Sequence, residues 1–163
     1  MKNWTKLLLA IIAFFLVIQL PFFTPEKNFT DDETDAAITD KYEVPMNIQM
    51  DLYNSCYDCH SNYTDDYPWY YHIQPVSWWM NRHINKAKEQ LNFSEFANYS
   101  SKEAVDKFKK LQQVMKERSM PLKSYLWMHD EARFTEKQYQ RVAEWAAEMH
   151  KKMQAKQDSL QNS

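Results

Sequence analysis

The sequence predicts an all-α fold, and three observations predict it. No stretch of useful length alternates apolar and polar residues with the two-residue period of a strand. Apolar residues instead recur every three or four positions in several segments, the spacing of one helix face. The chain of 163 residues also contains no glycine, and glycine is the usual residue of tight hairpin turns and phosphate-cradling loops. Nucleotide-binding loops are disfavoured on the same ground. A hydrophobic content of 44% suits one core plus an appendage. The formal net charge of −2, with no concentrated basic run, gives no reason to expect nucleic acid as a partner.

Residues 1–23 read as an N-terminal membrane anchor or uncleaved signal segment. Lys2 and Lys6 precede an uncharged run from Leu7 to Phe23, in which Gln19 is the one clearly polar residue. Its length, about 17 residues, sits at the lower bound for a spanning helix and above the usual apolar region of a signal peptide. No small-x-small cleavage site follows and no cysteine stands near its end to take a lipid, which favours retention as a transmembrane helix over cleavage. Basic residues before the run and acidic ones after it (Glu26, Asp31, Asp32, Glu33, Asp35) place the N-terminus in the cytoplasm. The expectation is a single-pass inner-membrane protein whose domain faces the periplasm.

Residues 24–43 are polar and acidic without a sustained apolar period, the pattern of a flexible tether. After Pro45, Ile48, Leu52 and Cys56 recur every fourth residue, so one helix face runs into Cys56-Tyr57-Asp58-Cys59-His60. Residues 62–74 are rich in Tyr, Trp, Asp and Pro and read as an irregular loop. Pro75 suits the first turn of a helix reaching about Leu91, with Val76, Trp79, Met80, His83, Ala87 and Leu91 near one face. Ser100 and Glu103 form a capping box opening a helix whose stripe is Ala104, Phe108, Leu111 and Met115. That helix reads as structural and ends near Arg118-Ser119-Met120-Pro121. Thr135 and Gln138 open the last helix, lined by Tyr139, Val142, Ala146 and Met149. The domain is therefore expected over residues 44–152, with a frayed polar tail at 153–163.

Cys56 and Cys59 are the only cysteines. Two thiols at this spacing followed by histidine are the attachment pattern of a c-type haem: the thiols reach two vinyl groups and His60 becomes an axial ligand of the iron. A thioredoxin-type redox pair would be expected near a βαβ pattern, which the sequence lacks. A zinc site lacks a second cysteine pair and would need distant histidines. An aromatic content of 15% suits walls for a large flat cofactor, or simply an aromatic-rich core. The carbonyl of Pro68 or Pro75 is the expected partner for the outer nitrogen of His60.

The other axial position has several candidates. Met120 precedes a proline in a loop and is best placed; a thioether there raises the reduction potential above that of a second imidazole. As a buried methionine it could equally be a core plug. His83 is the alternative distal ligand, His72 and His129 are candidate pocket residues, Met128 is a weak candidate, and His150 is expected in solvent.

The strings Ser55-Cys56-Tyr57-Asp58-Cys59-His60-Ser61-Asn62, Pro68-Trp69-Tyr70, Pro75-Val76-Ser77-Trp78-Trp79 with His83, Leu91-Asn92-Phe93-Ser94, and Met120-Pro121 with Tyr125 and His129 resemble the bacterial haem-binding domain family. More distantly, the order of helix, haem motif, late Met-Pro loop and closing helix is similar to class I monohaem cytochromes c. The chain departs from that wider pattern in its lack of glycine and its long aromatic insertion after the motif. The resemblance implies a cytochrome c-like helical domain around one covalent haem c. It also implies thioethers at Cys56 and Cys59 and iron between His60 and Met120. The function expected is one-electron transfer with redox partner proteins of the periplasm or inner membrane, an electron carrier in preference to a catalyst. The alternative is a haem enzyme or gas-sensing protein with an open distal side, where His83, His72 or His129 would serve as acid–base group. A third reading is a subunit whose haem organises a membrane complex.

Overall fold

The computed structural model describes residues 3–30, 35–65 and 67–161. Lys2, Asp31, Asp32 and Glu33, on which the expected topology partly rested, lie outside the described residues, as does the end of the expected tail. Among the described residues the regular structure is all helical, with one isolated bridge between Phe29 and Tyr63. The α-helices of the described residues are α1 (Asn3–Ile18), α2 (Ile38–Lys41), α3 (Met46–Ser55), α4 (Tyr57–His60), α5 (Val76–Gln90), α6 (Ser101–Glu117) and α7 (Glu136–Gln161). Short 3-10 turns at Pro21–Phe23, Trp69–His72, Phe93–Asn98 and Asp130–Ala132 join them.

The expected membrane span is corrected. α1 stops at Ile18, Leu20 is extended, and Pro21 opens a separate 3-10 turn. Proline has no N–H for the helix ladder, and its ring pushes the preceding residue out of helical geometry. Sixteen residues reach roughly 24 Å at about 1.5 Å each, short of a hydrocarbon core about 30 Å thick. Among the described residues no helix is long and apolar enough to cross a membrane. That finding overturns the single-pass anchor and the inner-membrane placement built on it. The end of the apolar run is instead fastened to the domain. Gln19 Nε2 donates to the Gln74 carbonyl at 3.2 Å, and the Gln74 N–H donates back to Gln19 Oε1 at 2.9 Å. The Trp78 indole donates to the Phe23 carbonyl at 2.6 Å.

Much of the segment expected as a free tether is packed. Ala36, Ile38, Tyr42 and Val44 are buried, and Ile38 is wholly so. Upstream, the Asn28 side chain donates to the Ser61 carbonyl and the Thr64 hydroxyl, and the Asn28 N–H donates to the Tyr67 hydroxyl. The polar composition of residues 24–43 hides these few apolar positions, whose spacing is too irregular to register as a helix period.

α6 and α7 form the main packing unit. The Ser100–Glu103 box opens α6 as expected, and Ala104, Phe108, Leu111 and Met115 are buried. Phe108 sits at the centre of the core, its ring meeting Tyr42, Phe96 and Trp145. With no glycine to end α6, Arg118 takes the left-handed conformation (φ 50°) and its N–H reaches the Met115 and Val114 carbonyls. The Ser119 N–H also bonds the Val114 carbonyl, so the chain turns sharply just before Met120. The Thr135–Gln138 box opens α7. This helix runs to Gln161 instead of fraying past Lys151, because Met153 extends its buried stripe. α3 lies against α7 through the buried Asp51, whose carboxylate accepts from Gln138 and from the Arg141 guanidinium.

On α5 the buried positions are Ser77 and Ile84. Trp79, expected inward, is half exposed. The rest of the expected face divides by position: His83, Ala87 and Leu91 border a cavity described below.

Candidate functional site

Cys56 is the hinge between two helices. Its N–H donates the last bond of α3 to the Leu52 carbonyl, and its own carbonyl accepts from the Cys59 and His60 N–H groups to close α4. With φ −128° and ψ −36°, Cys56 continues neither helix axis. One tight turn thus carries Cys56, Cys59 and His60, and all three border one cavity of about 290 Å³. Burial pushes the Cys56 thiol up to about 12, with smaller contributions from Cys59 and Asp51. Burial, followed by the Asp58 charge, pushes Cys59 up to about 11. The lowered thiol pKa that marks a reactive redox cysteine is therefore absent at both positions. No group of three or more His, Cys, Asp or Glu side chains among the described residues could hold a metal ion by itself.

The partner of His60 is neither Pro68 nor Pro75. Its Nδ1 lies 2.9 Å from the Leu91 carbonyl, at the C-terminal end of α5 where helix carbonyls lack partners within the helix. The Pro68 carbonyl accepts from Tyr71 and the Pro75 carbonyl from Trp79. A carbonyl only accepts, so Nδ1 carries the proton and Nε2 keeps its lone pair. Burial lowers the His60 pKa, with the Leu91 and Ala87 carbonyls opposing it, and the ring is therefore held neutral. Phe93, fully buried, meets the His60 ring edge-on and stacks on Tyr57 at 5.1 Å. Asn92 fixes this segment: its Nδ2 donates to Asn62 Oδ1, and its Oδ1 accepts from the Ser94 N–H.

Leu111, Val114 and Met115 of α6 and Met120, Pro121 and Leu122 of the following loop form another part of the wall, which is almost entirely apolar. α6, expected as purely structural, thus builds both the core and the site. The structure brings Met120 and His83 to the same cavity as Cys56, Cys59 and His60. Met120 comes from the loop after α6. His83 belongs to α5, the helix whose C-terminal end holds His60, and its own Nδ1 is engaged by the Trp79 carbonyl at 2.8 Å.

A model of the haem-binding domain family matches residues 13–148. The chain belongs to that family. No curated protein and no solved structure matches the chain. The residues of this haem-binding domain fit the group its family binds: an apolar cavity bordered by a neutral imidazole with a free nitrogen and by the Met120 thioether suits a flat porphyrin with an iron centre.

The remaining candidates fall away from this cavity. His72 is exposed and does not border it. His129 has both nitrogens engaged, Nδ1 with Glu131 Oε1 at 3.0 Å and Nε2 with the Tyr70 hydroxyl at 2.9 Å. Met128 is exposed, and neither it nor His150 borders the cavity. Sequence reasoning placed Leu91 on a helix face and quoted Phe93 and Tyr125 among the resembling strings, but gave none of the three a chemical role at the site. The Tyr125 hydroxyl donates to Asp58 Oδ2 at 2.7 Å, tying the Met120 loop to the cysteine turn. That link joins positions 67 apart in sequence, which no local periodicity can reveal.

Proposed function

We propose that this haem-binding domain is a c-type monohaem cytochrome that carries single electrons between redox partner proteins. The observation that carries the reading is His60 Nδ1 bonded to the Leu91 carbonyl, with Cys56, Cys59 and Met120 bordering the same cavity as His60. Cys56 and Cys59 would hold the haem through thioethers, and His60 Nε2 and Met120 would bind its iron. The group supplies a reversible ferric–ferrous couple, tuned by its axial ligands and by burial. The protein's part is to fix the imidazole, exclude water with apolar walls, and hold the distal loop closed through Tyr125 and Asp58. The cytochrome c-like arrangement rests on the order of α3, the cysteine turn, the Met-Pro loop and α7. The haem domain comprises residues 44–152, with part of 24–43 packed against it.

Pyridine haemochrome analysis of the purified protein should show one haem bound through two thioethers. Met120→Ala should convert a low-spin six-coordinate spectrum to high spin; an unchanged low-spin spectrum would remove Met120 as ligand. A second reading, a haem enzyme or gas sensor with an open distal side, is favoured by one observation, the presence of His83 at the cavity. Rapid carbon monoxide binding to the reduced resting protein would support it over an electron carrier.

A further inference from the structure

The apolar cavity has one cationic rim. Lys86 on α5 and Lys107 and Lys110 on α6 all border it. Lys107 Nζ donates to the Gln90 carbonyl at 2.5 Å and lies over the Tyr99 ring, and Lys110 Nζ donates to Gln90 Oε1 at 2.8 Å. Lys86 lies one helical turn before Gln90 on α5, so the three lysines gather on either side of that residue. Among the described residues bordering the cavity, Asp58 is the one acid, and its carboxylate is taken by Tyr125. Lys107 and Lys110 thus donate to neutral oxygens, with the Tyr99 ring and the exposed Glu103 carboxylate also near Lys107. Solvated lysines ordinarily stand free on a helix surface; these converge from two helices on the mouth of a cavity whose walls are otherwise apolar.

We propose, resting on the haem reading above, that Lys86, Lys107 and Lys110 bind the two carboxylates of the porphyrin. A porphyrin of this class has an apolar body and two anionic side chains, and the cavity repeats that division. Charge-assisted N–H···O bonds to both carboxylates would replace the neutral Gln90 contacts and fix which edge of the ring faces out. Sequence spacing does not reveal the cluster, because Lys86 and Lys107 belong to different helices.

The test uses the full chain with Cys56→Ala and Cys59→Ala, so that binding is reversible, and two probes: haemin and haemin dimethyl ester, which lacks the anionic charges. Haemin should bind at least about ten-fold more tightly than the ester. Replacing Lys86, Lys107 and Lys110 together with Gln should bring that ratio close to one. Lys109→Gln, an exposed α6 lysine that does not border the cavity, should leave it unchanged. Equal affinities in the parent, or a preference that survives the triple substitution, would overturn the lysine assignment. Failure to bind either probe, together with no covalent haem in the wild-type chain, would overturn the haem reading instead. Should the double-alanine chain not fold, resonance Raman spectra of the wild-type and lysine-substituted holoproteins give the same decision. The carboxylate bending band should shift in the triple variant and stay in place in Lys109→Gln, and an unshifted band in the triple variant would reject the proposal.

Discussion

At Cys56 and Cys59 the side chains alone allow three chemistries, and their surroundings separate them. Burial raises both thiols, the opposite of the shift that marks a reactive redox pair, and among the described residues no third ligand joins them in a metal site. His60 is specified in the same way by the Leu91 carbonyl, which sets the tautomer. Tyr125 is the residue-scale link between the two halves of the site. Burial, with the Asp58 hydrogen bond and charge, raises its pKa far above the ordinary tyrosine value, so the hydroxyl remains a donor. Tyr125→Phe removes that donor and leaves the Asp58 carboxylate short of a partner. The expected cost is about 1.5 kcal/mol in chemical denaturation, the low end for a bond to a charged group because the ring is part-exposed. In the holoprotein the same substitution should raise the high-spin fraction by loosening the Met120 loop, whereas a spectrum and stability equal to wild type would show that the bond does not hold the loop.

Among the elements, α6 shows how local signals and tertiary demands coincide. Its capping box is written in the sequence at Ser100 and Glu103 and is present in the structure. The Ser100 hydroxyl and N–H both donate to Glu103, and with the nearby Lys107 charge they hold its pKa below the ordinary 4.5. A carboxylate depressed on folding binds fewer protons folded than unfolded. The box's contribution is then complete above the unfolded pKa of 4.5 and is lost as pH falls through the lower folded value. An NMR titration should find Glu103 titrating below 4.5, and Ser100→Ala should return it toward that value while costing about 1 kcal/mol at neutral pH. A Glu103 pKa unaffected by Ser100→Ala would show that the box does not form in solution. The other face of α6, from Lys107 to Met115, carries no such local signal for its place at the cavity. Its apolar stripe reads as core, and only the approach of α5 and the Met120 loop makes part of it a wall.

For the whole molecule, the segment before α3 matters most. Read as a linker, it should tolerate substitution freely; in the structure Ile38 has no exposed surface and packs in the main core. Ile38→Ala should therefore destabilise the protein by about 3 kcal/mol, within the range for truncating a fully buried isoleucine. A change below about 0.5 kcal/mol, as is usual at surface positions, would show that the segment is free. The attachment of the apolar run through Gln19 and Gln74 has the same origin. Both contacts join segments of opposite composition, so composition alone could not predict them.

The sequence by itself determined the helical class, the starts of α3, α5, α6 and α7 and the Cys56–His60 motif, because periodicity, proline and capping boxes act within a few residues. It also brought Met120 forward, since Pro121 keeps that position out of a helix. Tertiary structure decided the rest. Gln74 and Trp78 fasten the end of the apolar run to the domain. Leu91 replaces the expected proline carbonyls because the end of α5 leaves an acceptor beside His60. His129 leaves the set of candidate ligands because Tyr70 and Glu131 occupy both nitrogens. Each of these outcomes depends on which distant group supplies a carbonyl, a hydroxyl or a charge. A chain read in order specifies its near neighbours; the chemistry of this cavity is set by residues that meet only after the helices have packed.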